Sequence, residues 1–215
     1  MKIGVFDSGK GGEIVAEKLR KHFPEHEFLV VNDRAHLPYG DKPRAEIRAL
    51  TDAAIQPLLA PTKIIVIACN TATTAAIDWL RAKYPQHEFI GFEPAVKPAA
   101  QQSRTGKIMV LATPATLQSA EYLRLKKRFA RELTVVEPDC AIWAEKIENG
   151  EFSDADLAPV VDLAQRENVD EIVLGCTHYL AAEEKLRQKL PNVEIVEPVA
   201  AVARQLAEII HELKQ

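Results

Sequence analysis

Three cysteines stand at positions 69, 140 and 176 of this 215-residue chain, and two of them occupy settings that can move protons. Ala68-Cys69-Asn70-Thr71-Ala72-Thr73 and Gly175-Cys176-Thr177-His178-Tyr179 each follow a β-branched run and lead into a helical pattern. At a helix start, unpaired backbone N–H groups and the helix dipole lower a thiol pKa, so both thiols are expected to ionise easily. Two such thiols flanking one bound molecule make a two-base device. One, as thiolate, removes a proton from carbon, and the other, as thiol, returns one to the opposite face. A lone cysteine is by default a small buried hydrophobe. Two at equivalent places in a repeat, each followed by hydroxyl or amide residues, argue for chemistry. Cys140 has no counterpart and precedes Ala141-Ile142-Trp143, so it reads as core.

These residues need elements to hold them. Strands are expected at 3–6, 27–32, 63–68, 88–92, 107–112, 133–137, 171–175 and 193–196. Helical patterns fall at 12–22, 44–59, 73–84, 116–129, 154–167, 181–189 and 199–213. Strand–helix alternation of this kind predicts an α/β fold with parallel sheets covered by helices and right-handed crossovers. An internal repeat is also present. Lys2-Ile3-Gly4-Val5 pairs with Lys107-Ile108-Met109-Val110, Ile67-Ala68-Cys69 with Leu174-Gly175-Cys176, and Phe92-Glu93-Pro94-Ala95 with Val196-Glu197-Pro198-Val199, at offsets of 105, 107 and 104 residues. The expectation is two pseudo-symmetric lobes, residues 1–96 with 199–215 and residues 97–198. The polar, proline-containing stretch 94–106 would be the crossover between them. Ligands of parallel sheets bind beyond the carboxyl ends of the strands. If the lobes face each other, Cys69 and Cys176 approach a shared cleft from opposite walls.

Other chemistry is weaker. Gly9, Gly11 and Gly12 follow a strand, but Ile14 stands where a dinucleotide fingerprint needs glycine, and no Walker motif is present. What remains is close backbone approach to something small and anionic. Asp7, ahead of that turn, reads equally as a helix cap or a catalytic group. Cys176 and His178 lack the paired spacing of a structural zinc site. They could serve a cysteine hydrolase as nucleophile and base, although residues two apart diverge at a helix start. Nothing marks a Schiff-base lysine. By default, Pro38-Tyr39-Gly40 reads as a turn with a surface tyrosine, and Glu148 as a solvated acid.

Composition sets the outer bounds. Apolar residues make up 47% and charged residues 27%, as in ordinary globular domains, which excludes an extended disordered chain. With 27 basic and 31 acidic side chains, the net charge of −4 argues against non-specific nucleic-acid binding. No apolar run approaches the ~20 residues of a membrane helix, and no export signal is legible. An odd number of cysteines argues against a disulfide framework, and the cytoplasm is the expected location.

Ile3-Gly4-Val5-Phe6-Asp7-Ser8-Gly9, Pro38-Tyr39-Gly40, Ala68-Cys69-Asn70-Thr71-Ala72-Thr73 and Gly175-Cys176-Thr177-His178-Tyr179 together resemble the glutamate racemase family of the aspartate/glutamate racemase superfamily. The match runs in order from residue 3 to about residue 208. The resemblance implies two α/β lobes with the site between them, and racemisation of glutamate without cofactor or metal. It further implies a supply of D-glutamate for cell-wall peptidoglycan, with a homodimer as an admissible assembly. It makes Cys69 and Cys176 the acid/base pair, assisted by Asp7, His178 and Glu148. Ser8, Pro38, Tyr39, Gly40, Asn70, Thr71, Thr113, Thr116 and Thr177 match substrate-holding positions. Lys10, Glu13 and Leu180 depart from the family pattern. Racemases of aspartate or hydantoin, a broad-specificity amino-acid racemase, maleate isomerase or decarboxylase, a non-catalytic amino-acid binder and the cysteine hydrolase are the competing readings.

Overall fold

The computed structural model describes residues 1–213, and these form two compact units. One unit comprises Met1–Glu93 and the chain from Pro198 onward; the other is Pro94–Glu197. The first holds strands β1 (Lys2–Asp7), β2 (Glu27–Asn32), β3 (Ile64–Ile67) and β4 (Glu88–Gly91), with helices α1 (Gly11–His22), α2 (Arg44–Leu59) and α3 (Asn70–Lys83). Its sheet is parallel throughout, in the order β2-β1-β3-β4. β3 is buried at all four positions, because a central parallel strand is covered on both faces.

The second unit repeats this topology. β5 (Lys107–Leu111), β6 (Thr134–Val136), β7 (Glu171–Leu174) and β8 (Glu194–Val196) pair in parallel in the order β6-β5-β7-β8. Its helices are α4 (Val96–Gln102), α5 (Pro114–Leu117), α6 (Ala120–Phe129), α7 (Trp143–Asn149), α8 (Asp154–Glu167) and α9 (Glu183–Lys189). The last helix, α10 (Val199–Glu212), belongs to the first unit and packs on α1 and β4. No helix among the described residues is long and apolar enough to cross a membrane.

Several boundaries differ from the sequence reading, and three of the differences have a clear physical cause. The stretch 94–106, expected to be a plain crossover, contains α4. Pro98 is tolerated there because it falls in the first turn, where its missing N–H would have no intrahelical acceptor. The helix expected over 116–129 breaks into α5 and α6, because Ser119 turns its hydroxyl back to accept from the Tyr122 amide at 3.1 Å. Finally, α3 begins at Asn70 instead of residue 73, so Cys69 is its cap.

Another repeat becomes visible once side chains are placed. Leu19-Arg20, Leu80-Arg81 and Leu186-Arg187 each precede a helix-ending Phe23-Pro24, Tyr84-Pro85 or Leu190-Pro191. The capping residues share nearly one conformation, φ −133, −123 and −128° with ψ 64, 64 and 66°. Proline then forbids another helical turn. Each arginine reaches over to donate to a carbonyl on the following strand, Phe28, Phe89 or Ile195, at 3.2, 2.9 and 2.7 Å. β2, β4 and β8 are all edge strands, so a charged group covers each exposed edge and discourages pairing with another chain.

Candidate active site

In the first unit, the residues past β1 and β3 converge. The fully buried Asp7 ends β1, and its Oδ1 accepts from the Gly9 amide at 2.8 Å. Lys10, not Asp7, occupies the cap position of α1, and no side chain caps that helix. The helix-cap reading of Asp7 is thereby corrected. α1 starts close against the strand ends: a Cβ on Gly12 would lie 2.7 Å from the Asp7 Cβ and 2.5 Å from Asn32 Oδ1. Only glycine permits that approach.

Cys69 follows β3 and is 5% exposed. Its sulfur accepts from the Ser8 hydroxyl at 3.3 Å and from the Ala72 amide at 3.4 Å. The expectation of an easily ionised thiol fails here. Burial, and after it the negative charge of Asp7, push the Cys69 pKa up to about 12, against the opposing pull of the Ser8 and Ala72 donors. The helix start is present, but desolvation of a thiolate outweighs it.

Asn70, 2% exposed, donates from Nδ2 to the Phe92 carbonyl at 3.3 Å, while its Oδ1 receives no hydrogen bond among the described residues. Thr71 is buried beside it. Tyr39 is not a surface tyrosine. It is 2% exposed and packs in the same core cluster as Cys69 and Phe6, its ring centroid 6.3 Å from that of Phe6. Its neighbours Pro38 and Gly40 are exposed and half-buried. Sequence reasoning missed Asp33, whose Oδ2 accepts from the Tyr39 hydroxyl at 2.7 Å. An aspartate directly after a strand was the available signal.

In the second unit, Cys176 follows β7, the strand equivalent to β3, and leads into a 3₁₀ turn, His178–Ala182, instead of an α-helix. That tighter turn brings Cys176 and His178 together, although a helix start would have separated them: Sγ lies 3.9 Å from His178 Nδ1. The other ring nitrogen, Nε2, is 3.0 Å from Glu148 Oε2. Glu148 is 8% exposed, so it is not the solvated acid its position on α7 suggested. α7 is held against the turn by Trp143, which packs edge-on to both Tyr179 and Phe152, and by the Tyr179 hydroxyl, which donates to the Cys140 carbonyl at 2.6 Å. Cys140 itself is fully buried. Past β5, Thr113 caps α5 by accepting from the Thr116 amide at 3.3 Å, and the two hydroxyls lie 3.0 Å apart. Thr116 and Thr177 are buried.

The structure thus places Asp7, Ser8, Tyr39, Cys69, Asn70 and Thr71 in one unit, and Glu148, Cys176, Thr177 and His178 with Thr113 and Thr116 in the other. One group surrounds a protonated thiol with hydroxyl and amide donors. The other is a thiol–imidazole–carboxylate chain, in which the His178 ring lies between the Cys176 sulfur and the Glu148 carboxylate.

Comparison with known proteins gives this chemistry a family. A model described as Asp/Glu/Hydantoin racemase matches residues 13–206. Glutamate racemases from Ectopseudomonas mendocina (strain ymp) and Stutzerimonas stutzeri (strain A1501) are 42% and 40% identical to the chain. The alignments span 98% of this chain and 83% and 82% of those relatives. Among solved structures, Escherichia coli glutamate racemase in complex with L-glutamate and activator UDP-MurNAc-ala superposes with a TM-score of 0.87 at 32% identity. That match covers 98% of this chain and 82% of the other. With its motifs, its paired parallel sheets and its full-length relatives in agreement, the chain belongs to the Asp/Glu/hydantoin racemase family.

Proposed function

We propose that this protein interconverts L- and D-glutamate by two-base catalysis with Cys69 and Cys176, needs no cofactor, and supplies D-glutamate for peptidoglycan from the cytoplasm. One observation carries the reading: two buried thiols follow the equivalent third strands, β3 and β7, of two units with one topology, and each has its own acid–base surroundings. The likeness to glutamate racemases over 98% of the chain supports glutamate as the substrate.

With its pKa near 12, Cys69 is a thiol at rest, since ionising it at neutral pH would cost about 7 kcal/mol. It is therefore the resting proton donor. Cys176, whose sulfur lies 3.9 Å from His178 Nδ1 with Glu148 behind the ring, is the partner base: as thiolate it attacks the α-hydrogen. The C–H bond breaks toward the Cys176 sulfur, the electron pair passes into the carboxylate as an enediolate, and the Cys69 proton adds to the opposite face. The two sulfurs have then exchanged roles, and the pair is set for the reverse reaction. Hydroxyl and amide donors from Ser8, Asn70, Thr71, Thr113, Thr116 and Thr177 balance the carboxylate charge. Such donors are worth about 3–4 kcal/mol each in known oxyanion holes. Pro38, Tyr39 and Gly40 complete the substrate-holding set, and Asp7 and His178 assist proton exchange at their respective sulfurs.

The test is turnover of L-glutamate in heavy water. Early D-product should carry deuterium at the α-carbon while recovered L-substrate stays protonated, and Cys69→Ala or Cys176→Ala should each abolish racemisation. Equal early labelling of both pools would refute the two-base assignment. Faster turnover of aspartate than of glutamate would move the substrate within the family. The contact of Cys176 with His178 also suits a cysteine hydrolase, and that reading requires a trapped acyl-enzyme at Cys176.

A further inference from the structure

The loop that carries Pro38, Tyr39 and Gly40 has little regular structure to hold it. It runs from the end of β2 at Asn32 to the start of α2 at Arg44 through two 3₁₀ turns, Arg34–His36 and Tyr39–Asp41. Past Asp33 the backbone bonds within its two turns are local, as in the Leu37 amide to the Arg34 carbonyl at 3.5 Å and the Lys42 amide to the Tyr39 carbonyl at 3.2 Å. Loops of this kind keep one conformation only where side chains fix them.

Asp33 does that fixing from a firm base. It follows β2 directly, and its amide donates to the Asp7 carbonyl at 3.0 Å, so its backbone is tied to the end of β1. Its side chain is 12% exposed, and its two oxygens reach both turns. Oδ1 lies 2.7 Å from His36 Nδ1, and Oδ2 accepts from the Tyr39 hydroxyl at 2.7 Å. A single carboxylate thus pins the first turn through an exposed histidine and the second through a buried tyrosine. The phenol is held protonated: burial first, then the hydrogen bond and charge of Asp33, push the Tyr39 pKa well above its ordinary value against the opposing hydrogen bond of Thr51. Tyr39 transmits the position inward, because its ring packs in the cluster that contains Cys69, Ala72 and Phe6.

We propose that Asp33 is a positioning residue for the racemase reaction: through its hydrogen bond to the Tyr39 hydroxyl it holds Pro38, Tyr39 and Gly40 in the arrangement that binds substrate beside Cys69. The inference rests on the reading that this loop holds substrate and that Cys69 reacts. Asp33 touches neither substrate nor sulfur in this scheme. Without it, the buried Tyr39 hydroxyl loses its carboxylate acceptor and keeps the Thr51 side chain as a weaker neutral partner, so the ring is free to shift outward toward water.

Steady-state kinetics on L- and D-glutamate, with melting curves, separate positioning from simple loss of fold. A structural defect lowers the active fraction and therefore kcat, leaving KM unchanged. Loss of positioning raises KM. Asp33→Ala should raise KM at least tenfold in both directions with kcat falling less than about threefold. Asp33→Asn, which retains an acceptor oxygen for the phenol, should restore KM to within about threefold of the unmodified protein. In a Tyr39→Phe background, which has no hydroxyl to hold, Asp33→Ala should change KM by less than twofold. Asp33→Ser, too short to reach the phenol, replaces Asp33→Ala if the latter does not fold. A KM within twofold of the unmodified protein for the Ala or Ser variant, or an equal effect with and without the Tyr39 hydroxyl, overturns the proposal. Absence of turnover in the unmodified protein would instead overturn the racemase reading on which it depends.

Discussion

Replacing Glu171 with glutamine should stabilise the second unit above neutral pH and change it little in mild acid. Glu171 is the first residue of β7, an interior strand, and is 5% exposed, with Oε2 free of any hydrogen bond among the described residues. Asp170 precedes it, and Glu194 is its register partner on β8. Like charges opposite one another on neighbouring strands destabilise a sheet. Burial first, then Asp170 and Glu194, raise the Glu171 pKa from 4.5 to about 7, and Arg104 offsets them only in part. Because the folded value is raised, the native state holds the proton more tightly than the unfolded chain does. Stability is therefore highest below the unfolded value, falls as pH rises through the interval up to about 7, and stays reduced above it. A rise of that size corresponds to about 3 kcal/mol, and screening by water at the strand end brings the expected gain to about 1–3 kcal/mol. The assay is urea unfolding at pH 5 and pH 8, read by Trp143 fluorescence in a Trp79→Phe background. Trp143 lies in this unit, while Trp79, the only other tryptophan, lies in the first. The gain at pH 8 should exceed that at pH 5 by about 1–2 kcal/mol. Equal gains at both pH values, or a loss at pH 8, would refute the argument.

The neighbouring Asp170 should behave oppositely. Burial opposes its ionisation, but donors from Ser103, the Thr105 and Arg104 amides and the Thr105 hydroxyl, at 2.6–2.9 Å, hold its pKa below the usual range. Its contribution is complete above the unfolded carboxylate value and is lost as pH falls through the lower folded one. Asp170→Ala should cost about 3 kcal/mol at pH 7, and the deficit should shrink in acid unfolding series. Asp7→Asn removes the charge beside Cys69 and should lower that thiol's pKa from about 12, so alkylation of Cys69 by iodoacetamide at pH 9 should accelerate while racemisation falls. Cys140→Ala should cost about 1 kcal/mol in melting experiments and leave turnover unchanged, since Cys140 is fully buried and the Tyr179 bond goes to its backbone carbonyl.

Much of this protein is legible in one dimension. Strand–helix alternation predicts parallel α/β layers because hydrophobic runs and helical periodicity are local properties of the chain. The polar residues after β1, β3, β5 and β7 mark the reactive ends because parallel strands all point one way. The Leu-Arg segments ending in Phe23-Pro24, Tyr84-Pro85 and Leu190-Pro191 mark helix stops in the sequence, but the reach of each arginine to an edge-strand carbonyl is seen only once side chains are placed. The ionisation of Cys69 was not readable. The helix start that favours a thiolate is local, whereas the burial and the Asp7 charge that oppose it come from β1 and the surrounding core. Cys176 and His178 meet because the turn after β7 tightens into a 3₁₀ form, and Glu148 joins them because Trp143 and Tyr179 pack α7 against that turn. Tyr39 is buried and Asp33 anchors it for the same reason. Residue type and order announce which groups can react, but solvent exclusion and the distances between distant segments decide their protonation and partners, and those exist only in the packed structure.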